Sequence, residues 1–419
     1  MKKFKFIISF SLILSTVFST PVFAAAAPPA LNSDGVVLMD ASTGQVLYSK
    51  NPDKQYYPAS TTKVLTALIS LENSNLDDKM TVGNDVASVD GTLVGLRPGE
   101  VYTARELLEG LLMESGNDCA QTLADNISGN STEFAKLMNS RAKALGATNS
   151  NFENPSGLPN EKHVTTPRDL ALIMKEAIQN PRFIEIARTD TAKMTSTATP
   201  TVHDISNHNY ILFKNSNYYY PYSVASKKGY TIAAQFTNVI SATKGNTTLV
   251  ASFLKGAGIN EVYKDVNTIF DYGFTNFETL NLYNKGDQVG TVTVRNQEVP
   301  LIASDDIKYT VETASASSTK PTLDYDKSAD LDDKTYQKGD VVETAKVELD
   351  GNQIGTVNLL SGADVQKSSI IPISSDSSSK TKASTFVIGV IVSLFLLAAF
   401  RLNYVKRKND KSKKTKQKH

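Results

Sequence analysis

The sequence predicts a mixed α/β domain, followed by a small all-β domain and an apolar segment near the carboxyl terminus. Between residues 36 and 274, apolar residues at helical spacing alternate with short strand-like runs. Further on, short runs alternate in polarity and predict strands at residues 280–283, 289–294, 307–311, 341–349 and 354–359. Residues 385–405 carry one charge, that of Arg401, and are long enough to cross a bilayer.

The first candidate catalytic motif is Ser60-Thr-Thr-Lys63, at the start of a predicted helix. Pro58 suits the first turn of a helix, where free N–H groups favour negative charge developing near Ser60. Lys63 lies one turn on, and a desolvated lysine can be neutral enough to remove the serine proton. The Ser-x-x-Lys pattern alone is weak evidence, because other serines also begin it. These are Ser140, Ser241, Ser252, Ser317, Ser377 and Ser379.

The second motif is Ser115-Gly-Asn117, which interrupts an apolar helical pattern. A short loop between two core helices holds side chains rigidly, so the Ser115 hydroxyl can relay a proton. The Asn117 amide can hold a peptide group of a substrate. A second Ser-Gly-Asn begins at Ser128, but there it follows the helix as a terminating turn. We therefore assign the site to Ser115.

The third motif is Lys227-Lys-Gly229, which opens a predicted strand. A lysine at position 227 can bind a terminal carboxylate, and Gly229 permits close approach of another backbone. The N–H of Tyr230 can pair with that of Ser60 as an oxyanion hole. The alternative is a basic edge strand without a catalytic role.

In this order, the three motifs resemble those of D-alanyl-D-alanine carboxypeptidases, the low-molecular-mass penicillin-binding proteins. The resemblance runs from residue 36 to residue 277 and includes several flanking segments. These segments are residues 36–48, 91–99, 154–158 and 165–171. The resemblance implies the penicillin-recognising, β-lactamase-like α/β fold, in which helices cover an antiparallel sheet.

What the resemblance implies for function is removal of the terminal D-alanine from peptidoglycan stem pentapeptides by a serine peptidase. Ser60 would attack the carbonyl between two terminal D-alanines, with Lys63 as base. Ser115 would pass a proton to the leaving amine, Asn117 would orient the peptide, and Lys227 would set the electrostatics around the substrate carboxylate. Water would then release the acyl-enzyme, whereas β-lactams would leave a slowly hydrolysed ester on Ser60. No cofactor is implied.

One residue departs from the family pattern, because Lys228 stands where a threonine or serine is usual. The missing hydroxyl normally helps to bind a carboxylate, and an ammonium can substitute partly as a point charge. Lys228 therefore predicts a weak enzyme or one of altered specificity. The alternatives are an impaired penicillin-binding homologue that binds wall peptides or β-lactams without efficient turnover, and a β-lactamase. For the latter, residues 154–168 offer only Glu161 as deacylating carboxylate, with Thr165 where its asparagine partner is expected.

Both ends of the chain predict export and membrane anchoring. Residues 1–24 combine basic residues, an apolar stretch and small residues, as a cleaved secretory signal does. Residues 385–405 form the predicted transmembrane helix, and the basic residues 406–419 would stay in the cytoplasm beside anionic lipids. We therefore expect a single-pass protein of the cell membrane whose catalytic domain lies outside the cell.

Between these ends we place two domains and a tether. The catalytic domain is expected at residues 28–275 and a β-sandwich at residues 276–365, which the resemblance implies is a pedestal that holds the active site away from the membrane. Residues 366–384 are rich in serine and predict a flexible linker. Within the β domain, residues 286–292 and 351–357 are similar and predict two hairpins, each with a glycine turn.

Composition argues against other kinds of site. The net charge is only +1, and the basic tail is explained by lipid, so a nucleic-acid partner is not indicated. Cys119 is the single cysteine, so it cannot form an intrachain disulfide, and we expect it to be buried. The histidines show no metal-ligand spacing, and we predict no metal site. They are His163, His203, His208 and His419.

Overall fold

The computed structural model describes residues 27–294, 297–326 and 334–366. Residues 27–276 combine strands and helices, as the sequence predicts. In chain order these elements are β1 (Gly35–Asp40), β2 (Val46–Lys50), a 3-10 turn (Ala59–Thr62), α1 (Lys63–Asn73), β3 (Lys79–Thr81), a 3-10 turn (Asn84–Ser88), β4 (Val101–Thr103), α2 (Ala104–Glu109), a π-helical turn (Gly110–Glu114), α3 (Asn117–Ser128), α4 (Ser131–Ala144), α5 (Pro167–Ala177), α6 (Pro181–Ala187), β5 (Thr191–Thr195), β6 (Val202–Ser206), a 3-10 turn (Tyr210–Leu212), β7 (Ser223–Thr231), β8 (Gln235–Lys244), β9 (Thr247–Gly256) and α7 (Ile259–Asn276).

The centre of this part is a five-stranded sheet in the order β2-β1-β9-β8-β7, with every neighbouring pair antiparallel. All six residues of β1 are buried, because both faces of the sheet are covered. Val37 and Met39 join a core cluster with residues of α1 and α5. Val36 and Leu38 join a second cluster with residues of α7. This explains why the sequence of β1 is a continuous apolar run rather than an alternating one.

The strand that carries the third motif lies at the edge of this sheet. In the register of β7 with β8, Lys228 is opposite Asn238 and Gly229 is opposite Thr237. The other edge of β7 faces the 3-10 turn that contains Ser60, since a Cβ atom built on Gly229 would lie 2.7 Å from the backbone nitrogen of Ser60. The sheet edge therefore forms one wall of the candidate site.

The described residues at 277–294, 297–326 and 334–366 form strands joined by turns, which confirms the predicted all-β part. The strands are β10 (Phe277–Tyr283), β11 (Gln288–Val294), β12 (Gln297–Ala303), β13 (Ile307–Glu312), β14 (Pro321–Asp324), β15 (Val341–Leu349) and β16 (Asn352–Ser361). β10 pairs with β13, and a separate sheet has the order β11-β12-β16-β15-β14. Sequence analysis missed β12 and β14, which contain Pro300 and Pro321, because proline weakens a strand pattern.

The two similar segments of this part have different surroundings. Gly351 lies in the turn between the paired strands β15 and β16, so the second predicted hairpin is confirmed. Gly286 lies between β10 and β11, which belong to different sheets, so the first predicted hairpin is wrong. Local sequence specifies the glycine turn in both cases, but tertiary packing decides which strand the chain then joins.

Reciprocal hydrogen bonds join this part to the larger sheet. The Gln45 side chain donates to the carbonyl of Thr310 at 3.1 Å and accepts from its N–H at 2.6 Å. The buried carboxylate of Asp40 accepts a hydrogen bond from the Thr279 hydroxyl. Both contacts involve β1 or the turn after it, so β1, which lies between β2 and β9 in the sheet, also anchors the β10–β13 pair.

Several predicted segments lie outside the described residues. They are the signal peptide at residues 1–24, nearly all of the linker at 366–384, the transmembrane helix at 385–405 and the tail at 406–419. Among the helices that the structure describes, none has both the length and the apolar character needed to cross a membrane.

A buried histidine supports the turn that carries Ser60. The Nδ1 atom of His163 accepts from the Glu153 N–H at 3.2 Å, so Nε2 carries the proton and faces the Thr62 hydroxyl at 3.0 Å. Burial, and to a smaller extent the charge of Lys63, lower the pKa of His163 to about 4. Protonation would place a second donor against the Glu153 N–H, so the fold requires the neutral ring.

We predict that acid destabilises the fold through His163. Its folded pKa of about 4 lies below the unfolded value of about 6.5, so its stabilising effect is complete above pH 6.5 and declines as pH falls toward 4. This difference between the folded and unfolded pKa corresponds to a loss of at most about 3 kcal/mol in the free energy of unfolding. Urea unfolding at several pH values should show a shallower decline in His163→Gln than in the wild type.

The control is His208→Gln, because that ring is only partly buried, with 41% of its side-chain surface exposed. Equal declines in the free energy of unfolding for the wild type and His163→Gln would contradict the prediction.

Candidate active site

Ser60 lies in the 3-10 turn Ala59–Thr62, directly before α1, so the predicted position at a helix start is confirmed. The preceding residue, Ala59, has a φ of +49°, a left-handed conformation that is unfavourable for alanine. Gly157 comes so close that a Cβ atom there would lie 1.9 Å from the Ala59 carbonyl oxygen. The strained turn is thus held by a neighbouring loop that only glycine fits, as is common at functional sites.

Lys63 is completely buried at the start of α1. Its Nζ atom lies 3.0 Å from Ser60 Oγ, 2.7 Å from Asn117 Oδ1 and 2.7 Å from the carbonyl oxygen of Ser156. Burial lowers the pKa of Lys63 to about 7, because the charged form is poorly solvated there. A substantial fraction of this amine is neutral near pH 7, as a base for Ser60 must be.

The π-helical turn ends at Ser115, which has a φ of +67°. This left-handed residue turns the chain between α2 and α3, so its hydroxyl leaves the helix and meets Lys227 of β7. Lys227 Nζ donates to Ser115 Oγ at 3.0 Å and to the carbonyl of Lys228 at 3.0 Å. Burial, followed by the charges of Lys63 and Lys228, lowers the pKa of Lys227 well below its usual value.

Asn117 connects Lys63 to the opposite wall of the site. Its Oδ1 atom accepts from Lys63, its Nδ2 donates to the carbonyl of Asp90 at 2.6 Å, and its N–H donates to the carbonyl of Thr92 at 2.7 Å. The next residue, Asp118, is also buried and accepts from the N–H groups of Val94, Gly95 and Leu96. These contacts fix the loop through residues 90–96 beside the catalytic residues.

Lys228, the residue that departs from the expected third motif, lies beside Tyr210. Its Nζ lies 4.8 Å from the centre of the Tyr210 ring, a cation–π contact. Its N–H donates to Asn209 Oδ1 at 3.0 Å, and burial lowers its pKa. Lys228 and Tyr210 both line a cavity of about 430 Å³ that also reaches Ser60 and Ser115.

The structure brings together the residues assigned to all three motifs. Ser60, Ser115, Lys227, Gly229 and Tyr230 line one cavity, while Lys63 and Asn117 lie behind it. The competing Ser128 ends α3 and is followed by Gly129 with a φ of +84°, as expected of a terminating turn.

Three residues that contribute to the site were missed in the sequence. Ser156 supplies a carbonyl to Lys63, and Gly157 approaches Ala59; both lie in the Asn154-Pro-Ser-Gly-Leu158 segment, which was noted only as part of the resemblance. Asp118 directly follows the second motif, but its role depends on a loop that precedes it by more than twenty residues. All three residues lie in the segment 154–158 or directly beside the second motif, so the sequence around the motifs was the place to look for them.

Cys119 is buried among residues that support the second motif. Burial, followed by the charge of Asp118, raises the pKa of its thiol well above the ordinary value. A Cβ atom on Gly110 would lie 2.5 Å from its sulfur, and one on Gly116 would lie 3.0 Å away. The thiol therefore packs as a small apolar group, as expected.

Comparisons with known proteins agree with this geometry. A family model described as "D-alanyl-D-alanine carboxypeptidase" matches residues 22–257. A second model, described as "Penicillin-binding protein 5, C-terminal domain", matches residues 277–367. The first model covers the mixed α/β part up to the start of α7, and the second covers the all-β part.

Curated relatives and solved structures give the same result. The chain is 30% identical over 346 residues to D-alanyl-D-alanine carboxypeptidase DacF of Bacillus subtilis, covering 80% of this chain and 86% of that protein. It is 38% identical over 245 residues to D-alanyl-D-alanine carboxypeptidase DacB2 of Mycobacterium tuberculosis, covering 57% and 81%. Its structure is similar to that of penicillin binding protein 5 from Haemophilus influenzae, with a TM-score of 0.70, 26% identity, and coverage of 81% and 99%.

We predict that Gly157→Ala disrupts the Ser60 turn. The added Cβ would collide with the Ala59 carbonyl, and overpacking of this kind costs about 1–3 kcal/mol beyond the cost of an alanine with positive φ. The matched control is Gly146→Ala, because Gly146 also has a positive φ (+81°) but its nearest contact would be 3.9 Å away. Chemical denaturation of both variants measures the difference.

Labelling of Ser60 by a fluorescent penicillin should fall in Gly157→Ala and persist in Gly146→Ala. Equal stability and equal labelling of the two variants would contradict the prediction.

Proposed function

The chain belongs to the D-alanyl-D-alanine carboxypeptidase family of serine peptidases, and we propose that it removes the terminal D-alanine of peptidoglycan stem pentapeptides through an acyl-enzyme on Ser60. The observation that carries this proposal is the contact between Ser60 Oγ and the buried amine of Lys63 at 3.0 Å. A serine hydroxyl is a weak nucleophile unless a base lies within hydrogen-bond reach. Here the base is present, is buried, and has a pKa of about 7.

Acylation begins when neutral Lys63 removes the Ser60 proton and Ser60 Oγ bonds to the carbonyl carbon between the two D-alanines. The N–H groups of Ser60 and Tyr230 stabilise the resulting oxyanion. Gly229 makes this pairing feasible, because any side chain there would meet the Ser60 backbone. The substrate carbonyl oxygen therefore binds between these two N–H donors.

Collapse of the tetrahedral intermediate breaks the peptide bond. The leaving amine takes a proton from the Ser115 hydroxyl. The proton that Lys63 removed from Ser60 then restores the Ser115 hydroxyl. Lys227, at 3.0 Å from Ser115 Oγ, holds that hydroxyl in place and contributes positive potential to the substrate carboxylate. Asn117 orients the peptide while it holds Lys63.

Water completes the cycle by attacking the ester on Ser60, with Lys63 again as base. Free D-alanine and the shortened stem peptide are the products. A β-lactam acylates Ser60 in the same way but leaves an ester that is hydrolysed slowly, so it is a covalent inhibitor. No step requires a cofactor or a metal.

An impaired homologue is not favoured, although Lys228 replaces the usual hydroxyl. The Lys63 contacts and the Lys227–Ser115 contact do not depend on the side chain at 228. A β-lactamase is not favoured either, because Glu161 is exposed and does not line the cavity that contains Ser60.

We also propose the cellular arrangement that the sequence predicts. Residues 1–24 direct export, residues 385–405 anchor the protein in the cell membrane, and residues 406–419 lie against anionic lipids in the cytoplasm. Residues 276–365 act as the pedestal of the catalytic domain at 28–275. Hydrogen bonds between Gln45 and Thr310 support a fixed orientation at this junction. The substrate lies outside the cell, which agrees with this topology.

We predict that Ser60→Ala lowers D-alanine release from a stem pentapeptide by at least about a thousandfold, because nucleophile removal has effects of this order or larger. Labelling by a fluorescent penicillin should disappear as well. The matched control is Ser140→Ala, which changes another Ser-x-x-Lys pattern at an exposed position of α4. Release that persists in Ser60→Ala would overturn the proposal, and labelling without release in the wild type would limit it to acylation.

We predict a second signature in the pH dependence of kcat/KM. Lys63 must be neutral to act as base, so activity falls as pH drops below its pKa of about 7, by tenfold for each pH unit well below that value. The acylation rate with penicillin should decline in parallel, since both reactions use the same base. A flat profile between pH 5.5 and pH 8 would contradict the role of Lys63.

A further inference from the structure

The active-site cavity extends well beyond the catalytic residues. Its lining includes Ser60 and Ser115 and also Tyr210, Tyr218 and Ile259. Its volume of about 430 Å³ lies within the range of roughly 300–1,000 Å³ of pockets that enclose drug-sized molecules. The side chain of a terminal D-alanine is a single methyl group, so the cavity has room for a larger residue.

Lys228 also lines the cavity, half-buried, with its ammonium over the Tyr210 ring. Within the described residues, no carboxylate forms an ion pair with it. Glu114, an acidic residue that also lines the cavity, is already engaged: its Oε1 accepts from the Ser206 N–H and its Oε2 meets His208 Nε2 at 2.8 Å. The positive charge of Lys228 is therefore available to an anionic group of a ligand.

The aromatic wall beside Lys228 is held in place by its neighbours. The Tyr210 hydroxyl oxygen lies 3.2 Å from His208 Nδ1, and the other ring nitrogen of His208 is hydrogen-bonded to Glu114. The rings of Tyr230 and Phe236, which also line the cavity, pack with centroids 4.6 Å apart. Tyr210 and Tyr230 remain 41% and 56% exposed, so both offer apolar area that a ligand can cover.

We propose that Lys228 and the adjoining aromatic residues form a subsite for stem peptides whose last D-residue carries a large apolar or aromatic side chain. The free carboxylate of that residue binds the Lys228 ammonium, and its side chain packs on Tyr210 and Phe236. The inference rests on the proposed function, because the bond cleaved and the products' chemistry are the same. It predicts that this protein releases terminal D-residues larger than D-alanine as well as D-alanine.

The first experiment compares the full-length protein in detergent on three stem pentapeptides that end in D-alanine, D-leucine or D-phenylalanine. Release of the last amino acid is measured by chromatography. We expect kcat/KM for the D-leucine and D-phenylalanine peptides to be within tenfold of that for the D-alanine peptide, or higher. Cleavage of the D-alanine peptide with more than tenfold slower cleavage of both others would overturn the subsite alone. Release from none of them would overturn the proposed function, and the subsite with it.

The second experiment tests Lys228 itself with the D-phenylalanine peptide and its carboxyl-terminal amide. Lys228→Thr should raise KM for the acid about tenfold, leave kcat unchanged and remove the preference for acid over amide, whereas Lys228→Arg should retain that preference. The matched control is Lys244→Thr, because Lys244 makes a similar contact with Tyr222 at 5.3 Å but does not line the cavity. An unchanged KM and acid preference in Lys228→Thr, or equal effects in Lys244→Thr, would overturn the role of Lys228.

Discussion

Burial of the Lys63 amine is the constraint on which the rest of the site depends. An ammonium removed from water is costly unless its hydrogen-bonding groups are met, and here Ser60, Asn117 and Ser156 meet them from three separate segments. Each segment must therefore be placed accurately, and this placement also positions Ser60 as the nucleophile and Asn117 to orient the substrate peptide. The same burial that lowers the pKa of Lys63 also forces its neighbours to converge.

The backbone strain beside Ser60 follows from the same arrangement. Ala59 is left-handed, which costs free energy of order 1–3 kcal/mol, and the loop with Gly157 closes over it. Thr237 from β8 donates to the carbonyl of Pro58 at 2.9 Å, so the sheet also holds the turn. The nucleophile is thus fixed by contacts from a helix, a loop and a strand that are distant in sequence.

The sequence predicted what local spacing determines. Ser60 and Lys63 are three residues apart at a helix start, so their contact follows from helical geometry, and the apolar run of β1 follows from a sheet covered on both faces. The contact of Lys227 with Ser115 spans more than a hundred residues and was reached only through the order of motifs. The close approach of Gly157, the hydrogen bonds of Asp118 and the cavity lined by Lys228 were not predicted, because packing between distant segments creates them. β12 and β14 were missed since their prolines interrupt the pattern.

The packing of Cys119 has a practical consequence for labelling studies. Because this sole thiol is buried, with its pKa raised, maleimide and iodoacetamide reagents should leave the folded protein unmodified. A cysteine introduced at an exposed position, such as the tip of the β7–β8 hairpin where Ile232 is 90% exposed, would then be the single reactive site. A fluorophore placed there would report on occupancy of the neighbouring cleft without prior removal of the native cysteine.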